Sequence, residues 1–296
     1  SVVFGLDEPD ETVLNSAGAE DIFIARYHPN SMLIWAKQAG GADFEFANAL
    51  TSLSDDSIVL TGYFQNTTIF GTEGPNETTL TSIGDDDILL AKYNSSGDFL
   101  WAKQAGGIEE DRGYAITSLS DDSTVITGNF GSMATFGKND PNEIVLTSLG
   151  SDDIFLARFN SDGSLDWAKS AGGTGKDTGF GITSFSNDSI LITGYFYQSA
   201  IFGLGEYNET ILKSNGYHDI FMTLYDENGT FFWSKGAGGP AGLLFEAGRA
   251  VTSLSDNSTI LTGTFSDFAT FGLGEPKEIT LVSEGNLDAF IARFGP

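Results

Sequence analysis

A repeat of about 66 residues constrains the fold of this chain more than any other feature of its sequence. The pair Phe-Gly begins at Phe4, Phe70, Phe136, Phe202 and Phe271, in steps of 66, 66, 66 and 69 residues. The chain's four tryptophans recur at a step of 66, at Trp35, Trp101, Trp167 and Trp233. Self-similarity of this kind is the signature of a repeat architecture, in which each unit packs against its neighbours.

Each unit consists of β-rich runs separated by turn residues about every eight to twelve positions, and no helical period occurs. In the second unit we predict strands over residues 114–119 and 124–130, a third strand from Asp153, and a fourth that carries Trp167. Four strands in meander order, repeated around a ring, make a propeller blade. We therefore predict an all-β fold, a β-propeller of 66-residue four-stranded blades, four to five in number.

The repeat divides the single predicted domain, residues 1–296, into unequal pieces. These are a half unit at 1–42, units at 43–108, 109–174 and 175–243, and a terminal partial unit at 244–296. The N-terminal piece has a Trp strand but lacks the first two strands, and the C-terminal piece has those strands but lacks the Trp. The ends are complementary, so we expect their pairing to close the ring. The alternative is that the surplus strand at 288–294 reaches a second molecule and drives self-assembly. The start at Ser1, in phase with the repeat, predicts a processed or excised segment.

The composition narrows the class of partners. With 41 acidic and 14 basic residues, the net charge of −27 disfavours binding to nucleic acid, and no apolar run is long enough for membrane insertion. The chain has no cysteine, which excludes disulfides and thiolate metal sites. Sequons for N-glycosylation occur at Asn66, Asn76, Asn94, Asn187, Asn208, Asn228 and Asn257. Together these features predict an acidic glycoprotein that is extracellular or at the cell surface.

The motifs of the unit show a family resemblance. The runs D-I-F-L-A-R/K-Y/F, N-x-x-G-x-x-x-W-A-K-x-A-G-G and A-I-T-S-L-S-D-D-S followed by T-G resemble the extracellular prokaryotic propeller repeat known as SBBP. The resemblance covers the whole chain. It implies a propeller architecture and a secreted or surface location, and it brings no shared catalytic residue.

Two acidic positions recur in the units. One opens the predicted third strand, at Asp21, Asp87, Asp153, Asp219 and Asp288. We predict that these aspartates accept backbone N–H bonds in a structural turn. The other precedes the first strand, at Glu45, Asp111, Asp177 and Glu246. These four are the candidate binding residues, because carboxylates gathered at one mouth of the channel would attract a cation or raise one another's pKa. The alternative is that each caps its own Gly-Gly loop.

The remaining repeated residues are predicted to be structural. We expect Trp35, Trp101, Trp167 and Trp233 to be interblade anchors. The basic residues Arg26, Lys92, Arg158, Arg293, Lys37, Lys103, Lys169 and Lys235 are expected to pair with acids across strands. The loops 160–163 and 226–229 resemble calcium loops but are better explained as hairpin turns. His28 and His218 share no unit position, so neither a catalytic triad nor a histidine zinc site is expected.

Three functions stay open. The first is a non-enzymatic, extracellular structural or adhesive propeller that serves as a scaffold or protein-interaction module and binds itself or other surface proteins and glycans. The second is a module that binds a glycan or a cation, calcium included, at the channel mouth. The third is a hydrolase, for which only the many carboxylates argue. We predict no catalytic residue, no resident metal and no cofactor.

Overall fold

The computed structural model describes residues 1–72, 74–240 and 246–295, and the predicted unit boundary at 243/244 lies outside them. Within these ranges the chain forms β-strands and turns and has no helix. Accordingly, the described residues contain no helix that could span a membrane. The all-β fold predicted from the repeat is confirmed.

The strands follow the repeat. The N-terminal half unit contains β1 (Val2–Phe4), β2 (Thr12–Leu14), β3 (Ile22–Tyr27) and β4 (Leu33–Gly41). The first complete unit contains β5 (Glu45–Ser52), β6 (Ile58–Phe70), β7 (Thr78–Tyr93) and β8 (Phe99–Gly107). The second contains β9 (Arg112–Ser118), β10 (Thr124–Phe136), β11 (Ile144–Phe159) and β12 (Leu165–Gly173). The third contains β13 (Thr178–Ser184), β14 (Ile190–Phe202), β15 (Thr210–Tyr225) and β16 (Phe231–Ala237). The terminal unit contains β17 (Ala247–Ser253), β18 (Thr259–Phe265), β19 (Phe268–Phe271), β20 (Ile279–Val282) and β21 (Asp288–Phe294).

Each complete unit is an antiparallel meander whose inner strands are buried on both faces. In β10, the consecutive residues Val125 and Ile126 point to opposite faces of the sheet, and both are fully buried. Both faces are covered because neighbouring units sandwich each sheet. One apolar cluster joins Leu53 of the first complete unit to Ile126 of the second, and another joins Leu119 of the second to Phe196 of the third. A single unit could not bury its apolar surface alone.

Hydrogen bonds also join the units. The last two glycines of β8 pair with β10, as those of β4 pair with β6 and those of β12 with β14. Together these pairings make a 14-stranded sheet that runs from β3 to β16. At the other end of the meander, Ser54 donates a hydrogen bond to Asp122 at 2.5 Å and Ser120 donates one to Asp188. The first strands β5, β9, β13 and β17 therefore lie side by side in chain order.

The second and third strands are longer than the sequence predicts. The Phe-Gly segment and the segment 144–147 do not form separate short strands. They extend β10 and β11, so that Phe136 pairs with Ile144 and Phe130 pairs with Asp153 in the same two strands. A β-bulge between Gly131 and Met133 joins the two parts of the ladder, and Ser132 has a left-handed φ of 49° there. The turn expected before Asp153 is thus an irregularity within a continuous strand.

The two ends of the chain do not pair with each other among the described residues. If the ends were complementary as predicted, a strand of the N-terminal piece would pair with β18. Instead β21 pairs with β18, and Phe265 lies opposite Asp288. β3 pairs with β4 alone, so its other edge has no strand partner in the described chain. β21 pairs with β18 because only the short β19–β20 hairpin separates the two strands in the chain, so that closing this loop costs little entropy. The described residues show a propeller-like array of units without a closed ring.

Candidate functional site

The tryptophans lie between successive units. Trp101 on β8 faces Gly163, which belongs to the β11–β12 hairpin of the next unit and has a φ of 82°. A Cβ at Gly163 would lie 3.0 Å from Cδ2 of the indole, so a side chain there would crowd the ring. Trp35 and Trp167 make the same contact, and their Nε1–H groups donate to backbone carbonyls of the next hairpin, at 3.2 Å in both cases. In the described chain no hairpin glycine contacts Trp233.

The aspartates that open the third-strand segment all make the same local bond. Each accepts a hydrogen bond from the backbone N–H four residues earlier, as Asp87 does from Ile83 at 3.2 Å and Asp153 from Leu149 at 3.0 Å. Asp21, Asp219 and Asp288 make this bond too. These bonds hold the backbone of the irregular segment that precedes each aspartate, which is the structural role that turn chemistry predicts.

The four candidate binding carboxylates are buried where one unit leads into the next. Asp111 accepts hydrogen bonds from the backbone N–H groups of Gly107 and Gly131, at 2.6 and 3.0 Å. Asp177 makes the equivalent pair of bonds, and Glu246 accepts one from Gly239. Glu45 lies at the corresponding place in the first complete unit. Asp111, Asp177 and Glu246 match the loop-capping alternative, because each bonds the Gly-Gly loop that precedes it, whereas both carboxylate oxygens of Glu45 are buried without a hydrogen-bond partner.

The electrostatics of these carboxylates reflect their burial. Burial raises the pKa of Asp111 and of Glu246 to about 8, and that of Glu45 and Asp177 to about 7. In each case the charged neighbour with the largest effect on the pKa is the third-strand aspartate of the preceding unit, and none of the other three carboxylates contributes. Across the described residues, no group of three or more His, Cys, Asp or Glu side chains could hold a metal ion. The four positions are therefore separate sites, and they do not form one ring of converging ligands.

The repeated basic residues fill two structural roles. Arg158 pairs with Asp121 at 2.6 Å, and its guanidinium also donates to the carbonyl of Glu227 in the next unit. Arg26 and Lys92 donate to the equivalent carbonyls of their neighbouring hairpins. On the adjacent strand, Lys103, Lys169 and Lys235 pair with Asp140, Glu206 and Glu275 respectively. The predicted pairing with acids is present for six of the eight residues, and Lys37 and Lys92 form no ion pair within the described residues. The contact between units was not predicted from the sequence.

The loops that resemble calcium loops are hairpin turns. Asp162 accepts hydrogen bonds from Ser164, and Asp226 accepts them from the backbone N–H groups of Asn228 and Thr230. Their carboxylates are thus committed to the turn. Of the sequon asparagines, Asn94 is half-buried and the other six are exposed. Asn66 lies at a bulge within β6, not in a turn.

The units differ from one another at a set of positions that lie on one surface. Comparing the units position by position shows residues that differ in size and charge while the frame around them stays the same. The sets are Phe44, Glu110 and Lys176; Phe46, Arg112, Thr178 and Ala247; Asn48, Tyr114, Phe180 and Arg249; Tyr63, Asn129, Tyr195 and Thr264; and Asp86, Asp152 and His218. They lie on the first strands, on the strands beside them and on the segments that lead into these strands. We call this set the repeat-variable surface.

The residues of the repeat-variable surface contact one another across the units. Tyr114 packs edge-on against Phe180 at 5.1 Å, and the guanidinium of Arg249 lies 4.5 Å above the ring of Phe180. Arg112 lies 4.9 Å above the ring of Tyr63 and bonds the fully buried carboxylate of Asp86 at 2.5 Å. A continuous row of aromatic rings and guanidinium groups thus crosses all the units that contribute a first strand.

The repeat-variable surface carries three basic residues that do not recur from unit to unit. Eight of the chain's 14 basic residues are repeated structural positions, and three of the other six are Arg112, Lys176 and Arg249. Arg112 and Lys176 are neutralised by Asp86 and by Asp152, the latter at 2.7 Å. Arg249 is exposed and has no ion pair among the described residues. The carboxylates and histidines of the repeat did not predict this surface, because its positions are those at which the units differ; the differences between the units are the signal that marks it.

Comparisons with known proteins agree with the fold. The model of a β-propeller domain of unknown function, DUF5122, matches residues 145–166. The uncharacterized WD repeat-containing protein L264 of Acanthamoeba polyphaga mimivirus is 22% identical over 74% of this chain and 17% of its own length. The regulatory protein FlaEY of Caulobacter vibrioides is 27% identical over 72% of this chain and 25% of its own length. The chain spans a quarter or less of these two proteins. Together the matches support a β-propeller repeat protein.

Proposed function

We propose that this chain is a non-enzymatic β-propeller repeat that serves as a protein-interaction scaffold and binds its partner through the repeat-variable surface. One observation carries the proposal: the units keep a common frame, yet they differ at a set of positions that the fold brings together on one surface. Selection for stability alone would leave the same residues at these positions, as it does at the Trp and Gly positions. The similarity to propeller and WD-repeat proteins supports a scaffold in general terms.

The chemistry of the surface suits protein recognition. Aromatic side chains and arginine are the residues that most often dominate binding energy at protein interfaces. Tyr114 and Phe180 are half-buried, so their rings are held in place by their neighbours while one side remains accessible. Arg249 is held by its stacking on Phe180 and keeps its hydrogen-bond donors free of carboxylates in the described structure. A rigid aromatic row with one free guanidinium loses little side-chain entropy on binding.

Hydrogen bonds between the first strands hold the residues of the repeat-variable surface in place. The first strands are joined side by side by hydroxyl hydrogen bonds, such as the one that Ser118 donates to the carbonyl of Ser52 at 3.2 Å and the one that Ser184 donates to Ser118 at 2.9 Å. Asn48 donates to the carbonyl of Gly113 in the next unit at 2.8 Å. These bonds fix the spacing between neighbouring recognition positions.

We also propose that the protein is extracellular and that its units are of the SBBP type. The motifs of the unit resemble that family throughout the chain. Six of the seven sequon asparagines are exposed, so they are accessible for glycosylation. Mass spectrometry of protein isolated from its natural source tests this. Glycan at several sequons supports export, and unmodified asparagines with no detection outside the cell contradict it.

The binding proposal is tested by selecting peptide ligands from a displayed random library and, in parallel, by probing a glycan array. The variants Phe180→Ala and Arg249→Ala should each weaken binding of selected peptides at least tenfold, which corresponds to about 1.4 kcal/mol. The matched controls are Ile211→Ala, which removes an exposed apolar side chain elsewhere, and Lys277→Ala, which removes an unpaired basic one. Both controls should bind as the wild type does.

The outcomes separate the alternatives. Equal loss in the variants and the controls, or ligands that bind all of them equally, would overturn the assignment of the surface. Binding to glycans but not to peptides would replace the protein-interaction function by the glycan-binding alternative.

Self-association is the second candidate, and exposed apolar side chains at both ends favour it. Phe23 on β3 is 59% exposed, although its equivalents Leu89 and Phe155 are fully buried. Ile291 on β21 is 73% exposed, although its equivalent Leu90 is fully buried. A second copy of this chain would cover these two side chains together if it added its N-terminal end to the C-terminal end of the first. Sedimentation at several concentrations tests this. Concentration-dependent association that Ile291→Lys abolishes supports it, and a monomer at all concentrations rules it out.

A further inference from the structure

Two carboxyl groups are buried next to each other, without an ion pair, where one unit leads into the next. Between the first and second complete units these are Asp87 and Asp111, both 0% exposed, and between the second and third they are Asp153 and Asp177, at 1% and 0%. None of the ion pairs in the described parts of the chain includes any of these four residues. We call each of these two sets an acid pair. Two uncompensated negative charges in one buried place would be strongly unfavourable.

The hydrogen bonds within an acid pair are unequal. Both oxygens of Asp111 accept bonds from backbone N–H groups, those of Gly107 and Gly131. Asp87 accepts through Oδ2, from the backbone of Ile83 and the side chain of Gln104, while its Oδ1 is buried with no hydrogen-bond partner. A buried oxygen without a partner is costly, so this atom needs an explanation.

The second acid pair shows the same inequality. Both oxygens of Asp177 accept bonds, from the backbone N–H groups of Gly173 and Tyr197 at 2.8 Å each. Asp153 accepts from Leu149 through Oδ2, and its Oδ1 has no hydrogen-bond partner. Because both acid pairs have one fully bonded carboxylate and one unpartnered oxygen, this inequality is a property of the repeat.

The unpartnered oxygen borders its neighbour's carboxylate. A Cβ placed on Gly106 would lie 2.7 Å from Oδ1 of Asp87 and 3.0 Å from Oδ2 of Asp111, so both oxygens line the same small space beside the glycine. In the second pair, a Cβ on Gly172 would lie 2.6 Å from Oδ1 of Asp153. The absence of a side chain at these glycines leaves space beside each unpartnered oxygen.

We propose that each acid pair holds one proton at neutral pH, carried on Oδ1 of Asp87 or Asp153 and donated as a carboxyl–carboxylate hydrogen bond to Asp111 or Asp177. The proton gives the unpartnered oxygen its bond and halves the buried charge. The partner whose two oxygens already accept backbone N–H groups is the one that stays ionised, since those bonds stabilise the anion.

The surrounding charges agree with a retained proton. Burial raises the pKa of both Asp87 and Asp111, and the neighbouring carboxylates Asp86 and Asp152 add to the effect. The two groups titrate as a pair, and the hydrogen bonds described above place its proton on Asp87. Burial likewise raises the pKa of Asp153 and of Asp177 to about 7, and Asp152 again adds to it. The cation that acts on Asp87 is Lys138, which lowers its pKa less than burial raises it. Arg112 and Lys176 are occupied by Asp86 and Asp152.

The sign of the pH dependence follows from these directions. The pKa of each acid pair is higher in the folded state than the value of about 4 that an aspartate has in an unfolded chain. Between these values the folded state binds more protons than the unfolded state, so unfolding releases protons and stability falls as the pH rises. The stabilising contribution is complete below the unfolded pKa of about 4, falls as the pH rises, and is fully lost once the pH has passed the folded pKa values, between about pH 6 and about pH 8.

The test compares asparagine substitutions on the two sides of a pair. In Asp87→Asn, the amide oxygen can accept from Ile83 while the NH₂ group donates to Asp111 in place of the proton. This variant should fold, lose part of the fall in stability between about pH 4 and about pH 8, and release about one proton fewer on unfolding near neutral pH. In Asp111→Asn, one backbone N–H of Gly107 or Gly131 would face an NH₂ group, so this variant should be less stable at every pH. The exposed Asp85→Asn is the control and should behave as the wild type does.

The readouts are the urea midpoint across this pH range and proton release, measured by calorimetry in buffers of different ionisation enthalpy. If unfolding of the wild type releases no protons near neutral pH, the proposal is wrong, and that result does not depend on how any variant folds. Equal effects of Asp87→Asn and Asp111→Asn would contradict the assignment of the proton to Asp87. Stabilisation by added calcium chloride, together with a stability that does not change with pH, would show that a cation and not a proton neutralises the acid pair.

Discussion

Replacing a tryptophan between two units should be among the most costly substitutions in the chain. The ring of Trp101 lies against Gly163 of the next unit, and this contact is possible only because the glycine has no side chain and has a left-handed φ. Trp101→Ala removes the ring and leaves an apolar gap between two sheets. Trp233 offers a matched control, because in the described chain no hairpin glycine contacts it.

The magnitude follows from the area involved. An aromatic side chain buries roughly 150–250 Å², which at about 25 cal/mol per Å² corresponds to about 4–6 kcal/mol as an upper bound. Measured Trp→Ala substitutions cost about 3–5 kcal/mol. Trp101 is half-buried, so we expect about 3 kcal/mol for Trp101→Ala and about 1 kcal/mol for Trp233→Ala.

Urea unfolding followed by far-ultraviolet circular dichroism measures both free energies, since this signal does not depend on tryptophan emission. Gly163→Ala should also destabilise the chain, because its Cβ would lie about 3 Å from the indole. If Trp101→Ala and Trp233→Ala cost the same, contact with the next hairpin is not what stabilises the array, and the anchoring role is refuted.

Two further predictions concern charge and close packing, and urea unfolding measures both. Arg112→Ala should cost about 3 kcal/mol or more, because it leaves the fully buried carboxylate of Asp86 without its cation, whereas removing the exposed Arg293 should cost less than about 1 kcal/mol. Equal costs would show that the burial of Asp86 does not govern the effect. Gly128→Ala should cost about 3 kcal/mol or more, because its Cβ would lie 1.9 Å from a backbone oxygen, and Gly285→Ala, which meets no atom, should be neutral. A stable Gly128→Ala protein would contradict the observed pairing of β9 with β10.

The sequence was sufficient to predict the all-β fold and the repeated structural residues. These features depend on local chemistry: the period of the Phe-Gly pair, the turn residues such as Asp162 and Gly163, and the aspartate that bonds the backbone four residues earlier. The two long strands of each unit were not predicted. The bulges within them place Ser132 and Asn66 in the left-handed region, and neither residue is a glycine that would have signalled it.

The candidate site could be predicted only in part. The loop-capping alternative was compatible with the burial of Asp111 and Asp177. Their pairing with Asp87 and Asp153 could not be predicted, because it depends on how strands of successive units meet in space. The repeat-variable surface was missed because its members are far apart in sequence and are of different types. The position of β21 beside β18 was not predicted either, since the strand pattern alone permits both β3 and β21 at that place.

Hydrogen–deuterium exchange of the chain with and without a selected peptide ligand tests the central claim most directly, because it locates the contact without any substitution. The account predicts that the ligand slows exchange along the first strands and their leading segments, residues 44–52, 110–118, 176–184 and 247–253, with little change in the fourth strands. Slower exchange confined to the fourth strands or to the outer hairpins, with the first strands unchanged, would contradict the claim that the repeat-variable surface binds the partner.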